Sequence, residues 1–303
     1  MERVSAVSRE LPRGSIVALI TPFTPEGMID RRALRKLVDF HVRSGTAGIV
    51  VAGTTGEAST LTHVEHRELI AATVEYSNGR THVMAGVGAN STAEAVDLAR
   101  FAEEAGADSL LSVVPYYIKP SQEGLVEHFV TQADASRLPL VLYNVPGRTV
   151  TDLAVSTVRR LAGHPNICGI KDATGDMARA AELVEMLPSS FALYSGDDFT
   201  SMAYLALGGW GVISVVANIY PRKVANLCSL VASNDLARAR QHLIELLPLT
   251  RALFAETNPG PVKFAASLLG HCEPFLRLPM VIPERPLQHA IRECVKAGVE
   301  NDS

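Results

Sequence analysis

The chain has 303 residues, of which 47% are hydrophobic and 20% charged, so it can bury the core of one large α/β domain and is not expected to be disordered. Its formal charge of −4 comes without a run of lysine or arginine, which argues against nucleic acid or an anionic membrane as a partner. Its four cysteines, Cys168, Cys228, Cys272 and Cys294, are widely spaced and predict neither a zinc site nor a disulfide framework.

The N-terminal segment gives no sign of export. Met1 to Arg13 is polar and mixed in charge, and it lacks the apolar centre of a signal peptide. No apolar run reaches the ~18 residues that a membrane-spanning helix needs. We therefore expect a cytoplasmic protein without a membrane partner.

Short apolar runs that predict buried strands alternate with longer segments of helical spacing, such as Leu34, Leu37 and Val38. Two of the helical segments begin with a capping-box pattern, Thr62-x-x-Glu65 and Ser91-x-x-Glu94. The strand and helix pair repeats about every 30 residues, as in βαβ units. The predicted strands are 16–20, 48–52, 82–86, 109–114, 138–143, 167–171, 191–194 and 211–216.

Eight such units favour a (β/α)8 TIM barrel, because a doubly wound sheet more often has about five to seven strands. We place this catalytic barrel at residues 14–220. The remaining residues, 221–303, show helical spacing without strands, and we predict a C-terminal helical region packed on the barrel. Its predicted helices are 224–231, 236–247, 262–269 and 287–297.

Unusual polar residues follow the predicted strands, at the end where a barrel of this kind carries its active site. Lys171 ends the sixth strand, while Tyr143 ends the fifth and Arg148 follows it. Burial disfavours the charged form of an amine, so Lys171 either acts as a nucleophile towards carbonyl substrates or is a structural lysine that pairs with Asp172 or extends its amine to the surface. The other polar residues at this end are Thr21, 53–57, Asn90, Tyr116, Tyr117, Asn144, 195–198 and Asn218.

Several motifs have competing interpretations. Gly53-Thr-Thr-Gly-Glu57 is either an anion-binding turn or a structural one. Pro115-Tyr-Tyr117 either relays protons or only packs. Gly86-Val-Gly-Ala-Asn-Ser91 lacks the third glycine of a dinucleotide fingerprint, so we reject such a site. His63-Val-Glu-His66 lacks a third ligand, and we interpret its histidines as polar residues at a helix start and predict no metal.

Taken together, the motifs resemble the dihydrodipicolinate synthases, in the family of pyruvate-dependent class I aldolases that also contains N-acetylneuraminate lyase. The resemblance runs in order from about Gly14 to Pro283. The matching motifs are Gly53-Thr-Thr-Gly-Glu57, Pro115-Tyr-Tyr117, Tyr143-Asn-Val-Pro-Gly-Arg148, Gly169-Ile-Lys-Asp-Ala-Thr174, Ser195-Gly-Asp-Asp198, Gly211-Val-Ile-Ser214 and Asn258-Pro-Gly-Pro-Val-Lys263.

The resemblance implies a lyase of lysine and diaminopimelate biosynthesis that needs no metal or other cofactor. Lys171 would form a Schiff base with pyruvate, and the enamine would attack L-aspartate 4-semialdehyde to give 4-hydroxy-tetrahydrodipicolinate. Tyr143 would be the acid/base, linked through Thr54 to Tyr117 of a neighbouring subunit. The resemblance also implies which residues bind the substrates: Thr55 the pyruvate carboxylate, Arg148 the semialdehyde carboxylate, and Gly196 and Ile213 through their carbonyl groups.

The resemblance further implies a homotetramer, formed as a dimer of dimers, that L-lysine inhibits at a subunit interface. The lysine would bind at Ala58, Ser59, His63, His66, Asn90, Glu94 and Tyr116. Two alternatives stay open: another pyruvate-forming aldolase or lyase of this family, and a ligand-binding paralogue without turnover. Val114 and Ile118 flank the tyrosine pair and replace the threonine and asparagine that are usual in the family. These two replacements concern the geometry of the implied proton relay and the regulation by lysine.

Overall fold

The computed structural model describes residues 10–300, with side chains through Gly298, so most of the N-terminal segment discussed above lies outside the described residues. Eight parallel strands pair in sequence order, and the last pairs with the first to close a barrel. The predicted (β/α)8 fold is therefore confirmed. The strands are β1 (Gly14–Ala18), β2 (Gly48–Val51), β3 (His82–Gly86), β4 (Ser109–Val113), β5 (Leu140–Asn144), β6 (Ile167–Asp172), β7 (Ala192–Ser195) and β8 (Gly211–Ser214).

Helices connect the strands and continue beyond the last one. Short 3₁₀ turns lie at Ala58–Thr60 and Val216–Asn218. In residues 10–300, no helix is both long and apolar enough to cross a membrane. The helices are α1 (Arg31–Arg43), α2 (His63–Ser77), α3 (Thr92–Glu104), α4 (Gln122–Asp134), α5 (Pro146–Thr149), α6 (Val155–Leu161), α7 (Met177–Met186), α8 (Ser201–Ala206), α9 (Pro221–Ala232), α10 (Leu236–Phe254), α11 (Gly260–Leu268) and α12 (Arg285–Glu300).

The strands are buried on both faces, because side chains alternate along a strand and helices cover the outside of the barrel. On β5, Leu140 and Leu142 belong to the layer between strands and helices, whereas Val141 and Tyr143 belong to the barrel interior. Lys171 is the register partner of Tyr143 on β6. The alternation therefore turns both side chains inward at the carboxyl ends of their strands, where barrel enzymes build their sites.

Only one of the two predicted capping boxes forms. At the start of α2, Thr62 accepts from the Glu65 amide and the Glu65 carboxylate accepts from the Thr62 amide, as predicted. At the start of α3, the Ser91 side chain makes no capping hydrogen bond, so that prediction was wrong. Glu94 instead lies 3.7 Å from the His63 Nδ1 through its Oε1. A tertiary contact has replaced the local one.

Some element ends differ from the sequence prediction. The run 211–216 was too long, because β8 ends at Ser214 and the Asp198 carboxylate accepts from the Val215 amide at 2.9 Å. The run 138–143 began too early for β5, which starts at Leu140. Helix α10 continues through Pro248 to Phe254, well past the predicted end at residue 247.

The helices after residue 220 pack on the barrel and on one another. Helix α9 contacts β1 and α8, while α10, α11 and α12 contact each other. The Tyr220 hydroxyl, at the start of α9, donates to the Val295 carbonyl of α12 at 3.0 Å. The division of the chain into units 14–220 and 221–303 stays a prediction.

We expect the Arg277–Glu65 ion pair to make stability depend on pH. Arg277 Nη2 donates to Glu65 Oε1 at 2.5 Å, and this hydrogen bond holds the pKa of Glu65 at about 2. A pKa lowered by folding adds stability above the unfolded pKa of about 4.5, and that stability is lost as pH falls towards 2. The stability deficit of Glu65→Gln should therefore be largest at pH 7 and shrink below pH 4.5, as measured by urea unfolding. Glu68→Gln, on the exposed face of the same helix, is the control, and a deficit in Glu65→Gln that is constant with pH would contradict this origin.

Candidate active site

The centre of the barrel mouth is Lys171 beside Tyr143. The lysine Nζ lies 4.1 Å from the centroid of the tyrosine ring. Both side chains are buried, with 6% and 7% of their surface exposed. The apolar interior of the barrel thus holds a primary amine over the aromatic face of a tyrosine.

Asp172 does not pair with Lys171, although it is its neighbour in sequence. Successive residues of a strand point to opposite sides, so the Asp172 carboxylate lies outside the barrel interior. It accepts from Arg179 Nε at 2.6 Å and from the Thr174 amide at 3.0 Å. In the part of the chain that the structure describes, Lys171 has neither an ion pair nor a side-chain hydrogen bond. The predicted pair with Asp172 is therefore wrong, and with 6% of its surface exposed Lys171 does not extend into solvent either.

Gly196 contacts the stem of Lys171 at the end of β7. A Cβ atom added to Gly196 would lie 2.9 Å from Lys171 Cε and 2.7 Å from Ala173 Cβ. The Gly196 amide donates to the Asp172 carbonyl at 2.7 Å, which fixes the backbone there. Ile213, the neighbour on β8, is fully buried inside the barrel. Glycine is therefore the residue that lets this loop approach the lysine.

Gly196→Ala should lower kcat by ~10- to 100-fold, because the added methyl displaces the lysine amine by a few tenths of an ångström or more from its position beside Tyr143. Ala173 Cβ and Cα would also lie only 2.7 and 3.1 Å from the added atom, so the backbone must shift there and we expect a lower melting temperature as well. The measurement is steady-state kinetics with thermal denaturation alongside. Gly147→Ala, where the added Cβ meets nothing within 4 Å, is the matched control. Unchanged kcat in Gly196→Ala would contradict the expected displacement.

Two of the predicted carboxylate-binding residues are joined through Asn258. Its side-chain Nδ2 donates to Thr55 Oγ1 at 2.9 Å, and its backbone carbonyl accepts from Arg148 Nη2 at 3.2 Å. Thr55 and Asn258 are buried, whereas Arg148 is exposed on the short helix α5. Sequence reasoning singled out the motif from Asn258 to Lys263 but assigned Asn258 no part in the site.

A cavity of about 260 Å³ lies beside this mouth and contains residues of two predicted sites. Thr54 and Arg148 line it. Five of the seven residues predicted to bind lysine line it as well: Ala58, Ser59, His66, Glu94 and Tyr116. The other two contact residues that line it: His63 Nδ1 lies 3.7 Å from Glu94 Oε1, and the Asn90 backbone lies beside Tyr116.

The polar groups of the cavity have distinct charge states. His66 Nε2 donates to the Gly86 carbonyl at 2.7 Å, and burial lowers the pKa of His66, so the ring is neutral at pH 7. Burial, and next the charge of Glu94, raise the pKa of the Tyr116 phenol. The negative charge of this wall therefore comes from Glu94. A ligand carrying an ammonium group would complement it.

Tyr117 does not join the other predicted catalytic residues within this chain. Its side chain is 86% exposed, and its backbone has the left-handed φ of 75°. Ile118, next to it, is 56% exposed. The structure thus brings together Lys171, Tyr143 and Gly196, and separately Thr55 and Arg148 through Asn258, while Tyr117 points to the surface.

Comparisons with known proteins give a consistent result. The model of the dihydrodipicolinate synthetase family matches residues 11–298. A 4-hydroxy-tetrahydrodipicolinate synthase from Azoarcus sp. (strain BH72) is 55% identical over 267 residues, which are 88% of this chain and 91% of that protein.

Solved structures agree with the sequence comparisons. A dihydrodipicolinate synthase from Acinetobacter baumannii, crystallised with pyruvate, is 45% identical with a TM-score of 0.93, covering 95% of this chain and 99% of that one. A dihydrodipicolinate synthase from Cyanidioschyzon merolae with lysine bound is 36% identical with a TM-score of 0.90, covering 94% of this chain and 98% of that one.

Proposed function

We propose, since the chain belongs to the dihydrodipicolinate synthetase family of lyases, that it condenses pyruvate with L-aspartate 4-semialdehyde through a Schiff base on Lys171. The product would be 4-hydroxy-tetrahydrodipicolinate, an intermediate of lysine and diaminopimelate biosynthesis. The observation that carries the proposal is the buried Lys171 amine, which lies against the Tyr143 ring and has no carboxylate partner among the described residues.

The first half of the reaction makes a nucleophile from pyruvate. The Lys171 amine adds to the ketone carbon, and loss of water gives a protonated imine. The imine withdraws electrons from the adjacent methyl group, so a base can remove one of its protons to form the enamine. The Tyr143 hydroxyl would carry protons on and off at these steps, and the contact of its ring with the lysine amine supports this role.

The second half joins the two substrates. The enamine carbon attacks the aldehyde carbon, and the resulting alkoxide takes a proton from Tyr143. The amino group of the semialdehyde then adds to the imine carbon and expels the Lys171 amine, which closes the ring. One water molecule is released overall. Thr55 would hold the pyruvate carboxylate, and the planar donor fork of Arg148 would hold that of the semialdehyde.

Trapping of the imine tests this proposal. Sodium borohydride added with pyruvate should reduce the Schiff base, and peptide mass analysis should find the pyruvate-derived adduct on Lys171 alone. The condensation should then be assayed against cleavage of longer 2-oxo acids. Adduct formation with cleavage only would favour another aldolase of the family, and absence of any adduct would favour a ligand-binding paralogue.

We propose further that L-lysine inhibits the enzyme by binding in the cavity beside the mouth. Support comes from the charge of Glu94. It also comes from the cavity itself, which is lined both by residues predicted to bind L-lysine and by Thr54 and Arg148 of the predicted active site. Inhibition by L-lysine should weaken in Glu94→Gln, while D-lysine serves as the ligand control. Lack of any response of the unmodified enzyme to millimolar L-lysine would refute this regulation.

We propose that Tyr117 completes the site of a second subunit, in a dimer that pairs into a tetramer. Its 86% exposure in a single chain supports this assignment. Mixing inactive Tyr117→Phe with inactive Lys171→Met subunits should restore activity, because each mixed dimer has one site with both native residues. A Tyr117 acting within its own chain would give no restoration. Sedimentation velocity provides the oligomeric state independently.

A further inference from the structure

A fully buried ion pair ties the turn after β2 to the C-terminal helices. Lys263, on α11, has 0% of its surface exposed, and its Nζ donates to Glu57 Oε1 at 2.5 Å. Glu57 closes the turn that carries Thr54 and Thr55, and it has the left-handed φ of 56°. The pair spans 206 positions of sequence. It lies outside the groups that react with the substrates.

The surroundings of the pair fix its geometry from several sides. The Lys263 Nζ lies 4.1 Å from the ring centroid of the buried Phe23. The second carboxylate oxygen of Glu57 accepts from the Arg277 amide at 3.1 Å, and the Arg277 guanidinium carbon lies 4.4 Å from the centroid of the same ring. Burial lowers the pKa of Lys263, while Glu57 opposes that shift. Both oxygens of the Glu57 carboxylate are thus held by groups from the C-terminal part of the chain.

Such a pair is a poor way to gain stability alone. Removing two charges from water costs several kcal/mol per ion in general, and apolar residues of similar volume often serve as well or better. The ionic pair does, however, fix the distance and the orientation of the Thr54–Thr55 turn relative to α11.

The same C-terminal segment also reaches the two predicted carboxylate-binding residues. Asn258 donates to Thr55 Oγ1 and accepts from Arg148 Nη2. The Lys263 amide donates to the Pro259 carbonyl at 3.0 Å in the first turn of α11, and Asn258 directly precedes Pro259. Segment 258–277 therefore holds the turn at Glu57 and at Thr55, only two residues apart.

We propose that Glu57 and Lys263 are positioning residues that fix the Thr55 hydroxyl for the carboxylate of the first substrate. This inference rests on the proposed function, because it takes pyruvate as the ligand of Thr55. The pair acts through the turn and through the start of α11, without contact to the reacting atoms. Loosening it should weaken pyruvate binding while the chemistry at Lys171 continues.

The test is a neutral replacement of both charges, Glu57→Gln with Lys263→Met, because either single variant leaves a buried charge unpaired. The rate of borohydride trapping is measured against pyruvate concentration in the full-length protein. We expect the half-saturating concentration to rise ~10-fold, with the trapping rate at saturation within about threefold of the unmodified enzyme. In the condensation reaction, KM for pyruvate should likewise rise ~10-fold while kcat stays within about threefold of the unmodified enzyme.

A matched control separates positioning from loss of stability. Leu183→Ala removes a buried side chain of α7, away from the turn, and should lower the melting temperature without changing half-saturation. A double variant that melts earlier but keeps the native half-saturation would overturn the proposal.

Two further outcomes are also informative. If the double variant does not fold, Phe23→Leu is measured instead, since it removes the ring beneath Lys263 and keeps both charges; native half-saturation there would equally overturn the proposal. Absence of trapping in the unmodified enzyme would instead reject the Schiff-base function itself.

Discussion

Lys171→Met should lower kcat by ~10³- to 10⁶-fold, because the variant has no amine at position 171 to form the imine. Met fills a similar volume, so the barrel interior should stay packed. Steady-state kinetics of condensation gives the rate, and thermal denaturation shows whether the fold is kept. Borohydride with pyruvate should then leave the protein without an adduct.

The chain supplies a strict control for this experiment. Lys263 is also buried, but its amine is paired with Glu57, so it should take no adduct in either protein. Lys36→Met, on the exposed face of α1, should have native activity. Activity remaining in Lys171→Met, or an adduct found on Lys263, would show that the wrong lysine has been assigned.

Tyr143→Phe should lower kcat by ~10²- to 10⁴-fold, the usual range for loss of a general acid/base. This variant keeps the ring that contacts the Lys171 amine at 4.1 Å and removes only the hydroxyl. Trapping with borohydride should still give the adduct on Lys171, at a lower rate. The loss should therefore appear in proton transfer and not in the identity of the nucleophile.

Tyr194→Phe is the matched control for the hydroxyl. Tyr194 lies in the same barrel interior, but its hydroxyl donates to the Pro12 carbonyl at 2.7 Å, at the opposite end from the mouth. We expect native kcat and a small loss of stability in that variant. Equal kinetic losses in the two variants would indicate a packing effect instead of acid/base chemistry.

The barrel could be predicted from sequence because its signals are local. Short apolar runs separated by amphipathic segments predict buried parallel strands, and their number selects the closed barrel. The meeting of Lys171 with Tyr143 also follows, since both stand at the ends of neighbouring strands. Strand ends were less certain because side chains such as Asp198 decide them through contacts with another strand.

The connections that arrange the site could not be predicted in the same way. Asn258 and Thr55 are 203 positions apart, and no periodicity links a proline-rich segment to a distant threonine. The failed capping box at Ser91 has a similar cause. The residues of the motif are present, but Glu94 lies in the wall of the cavity and next to His63 instead of reaching back to the Ser91 amide. Tertiary contacts decide both cases.

The contacts of Asn258 and Lys263 also have a consequence for the order of events during folding. All eight strands precede residue 215 in the chain, so the barrel can close before α11 has docked. Barrel closure already joins distant strands, as in the pairing of Gly14 with Gly211, whereas the contacts of Asn258 and Lys263 additionally require α11 to dock on the turn after β2. We therefore expect refolding protein to regain its secondary structure before it regains affinity for pyruvate. Substrate binding would then be acquired when α11 docks on the barrel.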